Sequence, residues 1–194
     1  MKSVRRIDKM KRIFIALKVE AEEPLLMMIS SLKSGLSKDI VKWTSPDNIH
    51  ITLAFLGDTE ENMIELISSM LEEKCKGTGR FELILKGSGV FRNFSDPRII
   101  WTGIETSEKL MHLNEIIMNG LKGLNIKLED RPFNPHLTIG RIKHLNHRET
   151  LRVLIEQFQN SELQIIPVPE VILYESILLH SGPVYKPISR FNLD

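Results

Sequence analysis

The chain reads as a mixed helix-and-strand protein, α/β or α+β, folded as two related lobes of one domain. A short pattern, His-x-Thr-apolar, is written twice, as His50-Ile51-Thr52-Leu53 and His136-Leu137-Thr138-Ile139, one copy in each half. Around both copies the apolar periodicity runs in the same order: strand, helix, motif strand, helix, strand. No Ser/Gly-rich stretch or charge run divides the halves, and the break near residues 92–97 reads as a tight turn, so the lobes belong together. Periodicity does not set strand direction, which leaves both classes open at this point.

Each element has a local reason. Residues 12–19 form a first apolar strand, and Glu22 to Ser34 places leucine, methionine and isoleucine at helical spacing with Gly35 as C-cap. The first motif opens a strand from Ile49 to Leu56, closed by Gly57-Asp58. Thr59 to Lys74 is a second amphipathic helix, with Thr59 as N-cap and Glu60 and Glu61 in the first turn, where carboxylates suit the helix dipole. Phe81 to Val90 alternates as a strand. The second half gives a strand at Arg98–Ile104, a helix at Ser107–Leu121, the motif strand His136–Ile142 and a helix at Arg148–Gln159. Strands near Leu163–Ile166 and Val171–His180 follow.

Side chains alternate along a strand, so the histidine and threonine of each motif share one face, about 6.8 Å apart, while the apolar pair faces the core. Two such strands side by side gather two imidazoles and two hydroxyls around a volume to which neither motif brings a carboxylate. That suits an anion such as a phosphodiester. With an ordinary pKa near 6.5, one histidine can act as base and the other as acid in a single displacement. Each copy follows a proline-containing loop, Ser45-Pro46-Asp47-Asn48 and Arg131-Pro132-Phe133-Asn134-Pro135, as a strand leaving a turn should. This doubling separates the pattern from a lone structural histidine.

Composition narrows the classes. With 194 residues, 42% of them apolar, the chain is long enough for one good core. Its 26 basic and 25 acidic residues leave a net charge of +1, which excludes a polybasic surface gripping long nucleic acid by charge alone. The single cysteine, Cys75, cannot form an internal disulfide, and a reducing, cytoplasmic setting follows. The apolar stretch Ile13 to Val19 is too short and too charged for a signal or membrane segment.

The chain resembles the LigT-like RNA 2',3'-cyclic phosphodiesterases, also called 2'-5' RNA ligases, of the two-histidine phosphoesterase superfamily. The residues that carry the resemblance are Arg12-Ile13-Phe14-Ile15-Ala16-Leu17, Trp43, Asn48 through Gly57, and Arg131 through Arg141, with Ser176, Gly182 and Tyr185 in the tail. The resemblance implies an α+β, bilobed LigT-like fold: a duplicated β-α-β-α-β unit, two mainly antiparallel sheets flanking a central cleft, and helices outside. It implies hydrolysis of RNA 2',3'-cyclic phosphate ends to 2'-phosphomonoesters, with reverse 2'-5' ligation by the same proton transfers and without a cofactor. It makes His50 the proton donor and His136 the proton acceptor, with Thr52 and Thr138 holding the phosphate. Residues 10–194 then form one two-histidine domain, and Met1 to Lys9 a dispensable extension.

Beyond the motifs, Arg141 is a candidate to neutralise phosphate charge, although strict alternation puts it on the face opposite His136 and Thr138 unless the strand bulges. Phe133 and Trp43 are candidates to stack a base, with core packing as the alternative for each. His144 and His147 form an H-x-x-H without the cysteines or carboxylates a zinc site needs, so no metal is expected there. His112 and His180 have no partner in the sequence. The basic segment Arg141 to Arg152 lies where it can guide nucleotides next to an RNA end. Related two-histidine activities, on small cyclic nucleotides, ADP-ribose cyclic phosphate or 2'-5' linked oligonucleotides, and a non-catalytic RNA-end binder are the alternatives. No membrane or obligate protein partner is expected.

Overall fold

The computed structural model describes residues 10–128, 132–180 and 182–194. The expected extension Met1–Lys9, and Arg131 of the loop before the second motif, lie outside the described residues. In chain order the elements are β1 (Lys11–Lys18), α1 (Glu23–Gly35), β2 (Ile40–Trp43), β3 (His50–Thr59), α2 (Glu61–Cys75), β4 (Phe81–Phe91) and β5 (Ile99–Ile104). There follow α3 (Glu108–Gly123), β6 (His136–His144), α4 (Arg148–Phe158), β7 (Glu162–Val168), β8 (Glu170–Leu179) and β9 (Gly182–Asn192).

Two caps differ from expectation. Thr59 closes β3, its hydroxyl donating to the Gly57 carbonyl at 3.1 Å, and Glu60 takes the N-cap position of α2. Helix α1 runs through Gly35, and Leu36 caps it: its backbone N–H donates to the Leu32 carbonyl and the next N–H, of Ser37, to the Ser34 carbonyl. Strands β2 and β9 were not expected from the sequence. β9 carries Pro183 and Pro187, which its place at the edge of the sheet tolerates, because an edge strand need not donate on both sides.

The strand pairs are all antiparallel, and the class is α+β. The two sheets expected to flank the cleft are instead one curled sheet in the order β7-β4-β5-β6-β3-β1-β8-β9, with β2 on β6. The joint is the pairing of the two motif strands at Ile51 and Leu137. An unpaired apolar strand edge is a liability, and each motif strand removes the other's. From this seam, β3-β1-β8-β9 form one lobe and β6-β5-β4-β7 the other.

A lobe is not a half of the chain. The first half sends β4 into the second lobe, and the last two strands return to the first. The helices exchange as well: α2 and α3 pack on each other and on β3, β8 and β9, whereas α1 and α4 pack on each other and on β4 and β7. This interleaving is the physical reason no linker divides the sequence.

One apolar core runs between sheet and helices under both lobes. Ile51 and Leu137 are fully buried there, and each such side chain contributes about 1.5–3 kcal/mol. Cys75 is also buried in this core, which pushes its thiol up to about 12 and makes it a packing residue, not a nucleophile. Among the described residues, no helix is long and apolar enough to cross a membrane.

Candidate active site

The antiparallel pairing of Ile51 with Leu137 sets the geometry of the site. Continued one residue each way, it lays His50 beside Thr138 and Thr52 beside His136. The middle residues point into the core, so all four polar side chains share the opposite face and line one cleft of about 520 Å³.

Each motif then bulges at its fourth residue. On β3, Ala16 opposes Thr52 and Ile15 opposes Ala54, leaving Leu53 over. On β6, Trp101 opposes Thr138 and Ile100 opposes Gly140, leaving Ile139 over. The extra residue reverses the alternation, so Leu53 and Ala54, and likewise Ile139 and Gly140, both turn to the core. Phe55 and Arg141 therefore rejoin the face of the histidines and line the cleft. Gly140 lets β2 lie close: a Cβ there would meet Val41 Cγ1 at 2.9 Å and the Trp43 ring at 3.0 Å.

The loops before the motifs orient the imidazoles alike. His50 Nδ1 lies 2.7 Å from the Asn48 carbonyl, and His136 Nδ1 lies 2.8 Å from the Asn134 carbonyl. A carbonyl only accepts, so each Nδ1 carries hydrogen and each Nε2 is left free to take or give a proton. Asn48 is itself tied down, its side-chain amide donating to the Pro183 carbonyl at 2.8 Å. Thr44 fastens β2 to the second motif through its hydroxyl on the Thr138 carbonyl and its N–H on that of Ile139, both at 2.9 Å.

Aromatic rings flank both histidines. Phe14 lies 5.0 Å and Tyr185 5.1 Å from the His50 ring, and Phe91 packs edge-on to His136 at 4.6 Å. Burial pushes the His50 pKa below its usual value; the Asn48 carbonyl opposes this, and the positive charge of Arg141 and of His136 adds to it. Among the residues lining the cleft, Arg12 and Arg141 are the cations, Thr44, Ser176 and Tyr185 add hydroxyls, and none is a carboxylate.

The other sequence candidates fall around this cleft. Phe133 lines an adjoining cavity of about 490 Å³ that shares Thr52, Phe55 and His136 with the cleft. Trp43 packs on the core and lines a side pocket of about 140 Å³ with Arg141 and Tyr185. Lys143 and Arg148 line a separate shallow cavity beside Asp96 and Arg98. His147 sits 3.1 Å from the Asp39 carboxylate, which also accepts the Asn146 and His147 backbone N–H groups ahead of α4. Burial alone would raise the Asp39 pKa, but these donors outweigh it and hold the carboxyl below its usual value. Among the described residues, no three metal-ligating side chains cluster.

Sequence reading missed the roles of Phe14, Phe91, Thr44, Phe55 and Arg12. Arg12 and Phe14 alternate on one strand, which is a legible signal that they share a face; the bulge that brings in Phe55 is not legible.

Comparison with known proteins gives the family. Residues 22–166 match the model of the 2'-5' RNA ligase superfamily. The RNA 2',3'-cyclic phosphodiesterase of Methanothermobacter thermautotrophicus is 34% identical over 94% of this chain and 98% of its own. That of Aquifex aeolicus is 38% identical over 78% and 81%. Among solved structures, TT0787 of Thermus thermophilus superposes with a TM-score of 0.73 at 24% identity, over 94% of this chain and 97% of its own. E. coli LigT bound to 3'-AMP gives 0.70 at 20% identity, over 95% and 99%, and these two likenesses speak to the fold alone. The chain belongs to the 2'-5' RNA ligase superfamily.

Proposed function

We infer that this chain is an RNA 2',3'-cyclic phosphodiesterase that works by acid–base chemistry between His50 and His136. The observation that carries the reading is the seam: two imidazoles with free Nε2 atoms and two threonine hydroxyls converge on one cleft face, lined with arginine and no carboxylate. The relatives that bear this activity's name span nearly the whole chain.

In the proposed step, His136 Nε2 takes a proton from water as the water oxygen bonds to phosphorus. The bond from phosphorus to the 3'-oxygen breaks, and His50 Nε2 gives that oxygen its proton. The product is a 2'-phosphomonoester and a free 3'-hydroxyl. Thr52 and Thr138 donate to the non-bridging oxygens, and Arg141 balances their charge. Phe133 stacks the base from the adjoining cavity, and Trp43 supports the strand that carries Arg141. In the reverse direction the same two transfers join a cyclic phosphate to a 5'-hydroxyl, giving a 2'-5' linkage.

His50 must be protonated to donate, and burial with Arg141 opposes that. A bound phosphodiester anion offsets Arg141 and moves the His50 pKa upward, which couples substrate binding to activation of the acid. Residues 10–194 hold the machinery, and a buried, inert Cys75 suits a reducing cytoplasm. The test is turnover of a short RNA with a 2',3'-cyclic phosphate end, followed by phosphorus NMR. The expected product is the 2'-phosphate, with chelator leaving the rate unchanged. A mainly 3'-phosphate product would mean that the 2'-oxygen is the leaving group and the scissile bond is oriented the other way, and restoration of a chelated enzyme by zinc would remove the mechanism.

A further inference from the structure

The two motifs are equivalent in backbone but not in charge. Three residues after its threonine, past the bulge, the second motif presents Arg141 and the first presents Phe55. The missing charge is supplied from the neighbouring strand: the Arg12 guanidinium lies over the Phe55 ring, 4.9 Å from its centroid. Arg12 and Phe55 both line the cleft with the motif residues. Tyr185 lines the same cleft and feels the charge of both.

A cyclic phosphodiester carries one negative charge. Arg141 alone matches it, and a protonated His50 adds a second positive charge during the reaction. Arg12 is then a further permanent cation in a cleft lined by no carboxylate, although Asp58 is its registered neighbour across the strands. Among the described residues, no carboxylate comes within 4.0 Å of Arg12. A guanidinium over an aromatic face keeps N–H donors for an incoming anion.

Resting on the phosphodiesterase reading above, we propose that Arg12, held over the Phe55 ring, binds a second phosphate, that on the 5' side of the terminal nucleotide. The preferred substrate class is a cyclic phosphate end that carries this second phosphate, rather than a bare nucleoside 2',3'-cyclic phosphate. Arg12 is on this view a specificity residue, and Arg141 serves the reacting phosphate.

The experiment compares kcat/KM for three substrates at low salt: a nucleoside 2',3'-cyclic phosphate, the same with a 5'-phosphate, and a dinucleotide with a 2',3'-cyclic phosphate. The natural enzyme should prefer the second and third over the first by about tenfold, the usual weight of one charge-assisted contact. In Arg12→Gln both ratios should fall to near one; in Arg12→Lys they should be intermediate, since an ammonium keeps the charge without the planar fork. Circular dichroism on each variant establishes that it is folded, and the ratio of substrates is unmoved by a general loss of activity. Equal rates on all three substrates, or a ratio that survives Arg12→Gln, would overturn the proposal. So would a preference for the dinucleotide that the 5'-phosphate alone does not reproduce, since the second nucleoside would then be the determinant. Failure of the natural enzyme on all three would overturn the phosphodiesterase reading itself.

Discussion

The two motif strands share a backbone and differ in their surroundings. In both, a histidine is tied through Nδ1 to the carbonyl two residues earlier, the threonine follows on the same face, and a bulge reverses the alternation at the fourth position. Around His50, however, two aromatic rings close in and the pKa is pressed down. His136 meets one ring, and its own strand supplies Arg141. The motif supplies two imidazoles in matched poses, and the neighbours supply what differs between them: the rings and the arginine.

The strongest way to break the comparison is to remove either imidazole. His50→Ala and His136→Ala should each lower kcat by about 10² to 10⁴ with circular dichroism unchanged, because a positioned acid or base contributes that much. Near-normal single-turnover rates in one of them would mean that the motifs are not partners. Thr52→Ala and Thr138→Ala should cost less, each removing one neutral donor.

Arg141→Gln sharpens the comparison through pH. Arg141 pushes the His50 pKa down, so removing its charge lets that pKa rise. His50 as acid sets the alkaline limb of kcat/KM, which should move to higher pH even as the maximum falls by about tenfold for one lost charge-assisted contact. A limb that stays in place would assign it to another group.

Stability gives a smaller signal of the same asymmetry. His50 has a folded pKa below the ordinary 6.5, so the unfolded chain binds more protons in that range. The stability associated with a neutral His50 is therefore present above pH 6.5 and is lost as pH falls from there through the folded pKa. In urea titrations, His50→Gln should flatten this slope by at most about 1.4 kcal/mol per pH unit. His136→Gln serves as the comparison.

The smallest expected effect lies outside the cleft. Lys143→Ala with Arg148→Ala should flatten a shallow salt dependence of KM, equivalent to about one to three phosphate contacts at a slope near −0.7 each, and leave kcat alone. A steep slope that grows with RNA length would instead mark an extended RNA surface.

Much of this site was legible before any coordinates. Period-two alternation gave His50, Thr52, His136 and Thr138 a common polar face, because a strand has no other way to bury Ile51 and Leu137. Arg141 was legible as a candidate but its face was not, since the bulge at Ile139 depends on packing of β6 between β2 and β5, and one residue of slip changes the face. The single sheet was not legible either. Nothing local in Ile51 or Leu137 says that each strand is the other's partner. β2 is only four residues long, and β9 holds two prolines that argue against a strand unless it lies at an edge.

The matched Nδ1 hydrogen bonds have a consequence for the catalytic cycle. At rest both imidazoles are the same tautomer, and one must be loaded with a proton before hydrolysis begins. In the proposed step a proton leaves through His50 and another enters through His136, so the enzyme holding product carries its extra proton on the opposite histidine from the enzyme that bound substrate. That is the state in which the reverse step starts. Until solvent resets the pair, a retained 2'-phosphate can close again and lose water. Turnover in ¹⁸O-water should then leave some product phosphate with more than one labelled oxygen, and the excess should grow as product release slows.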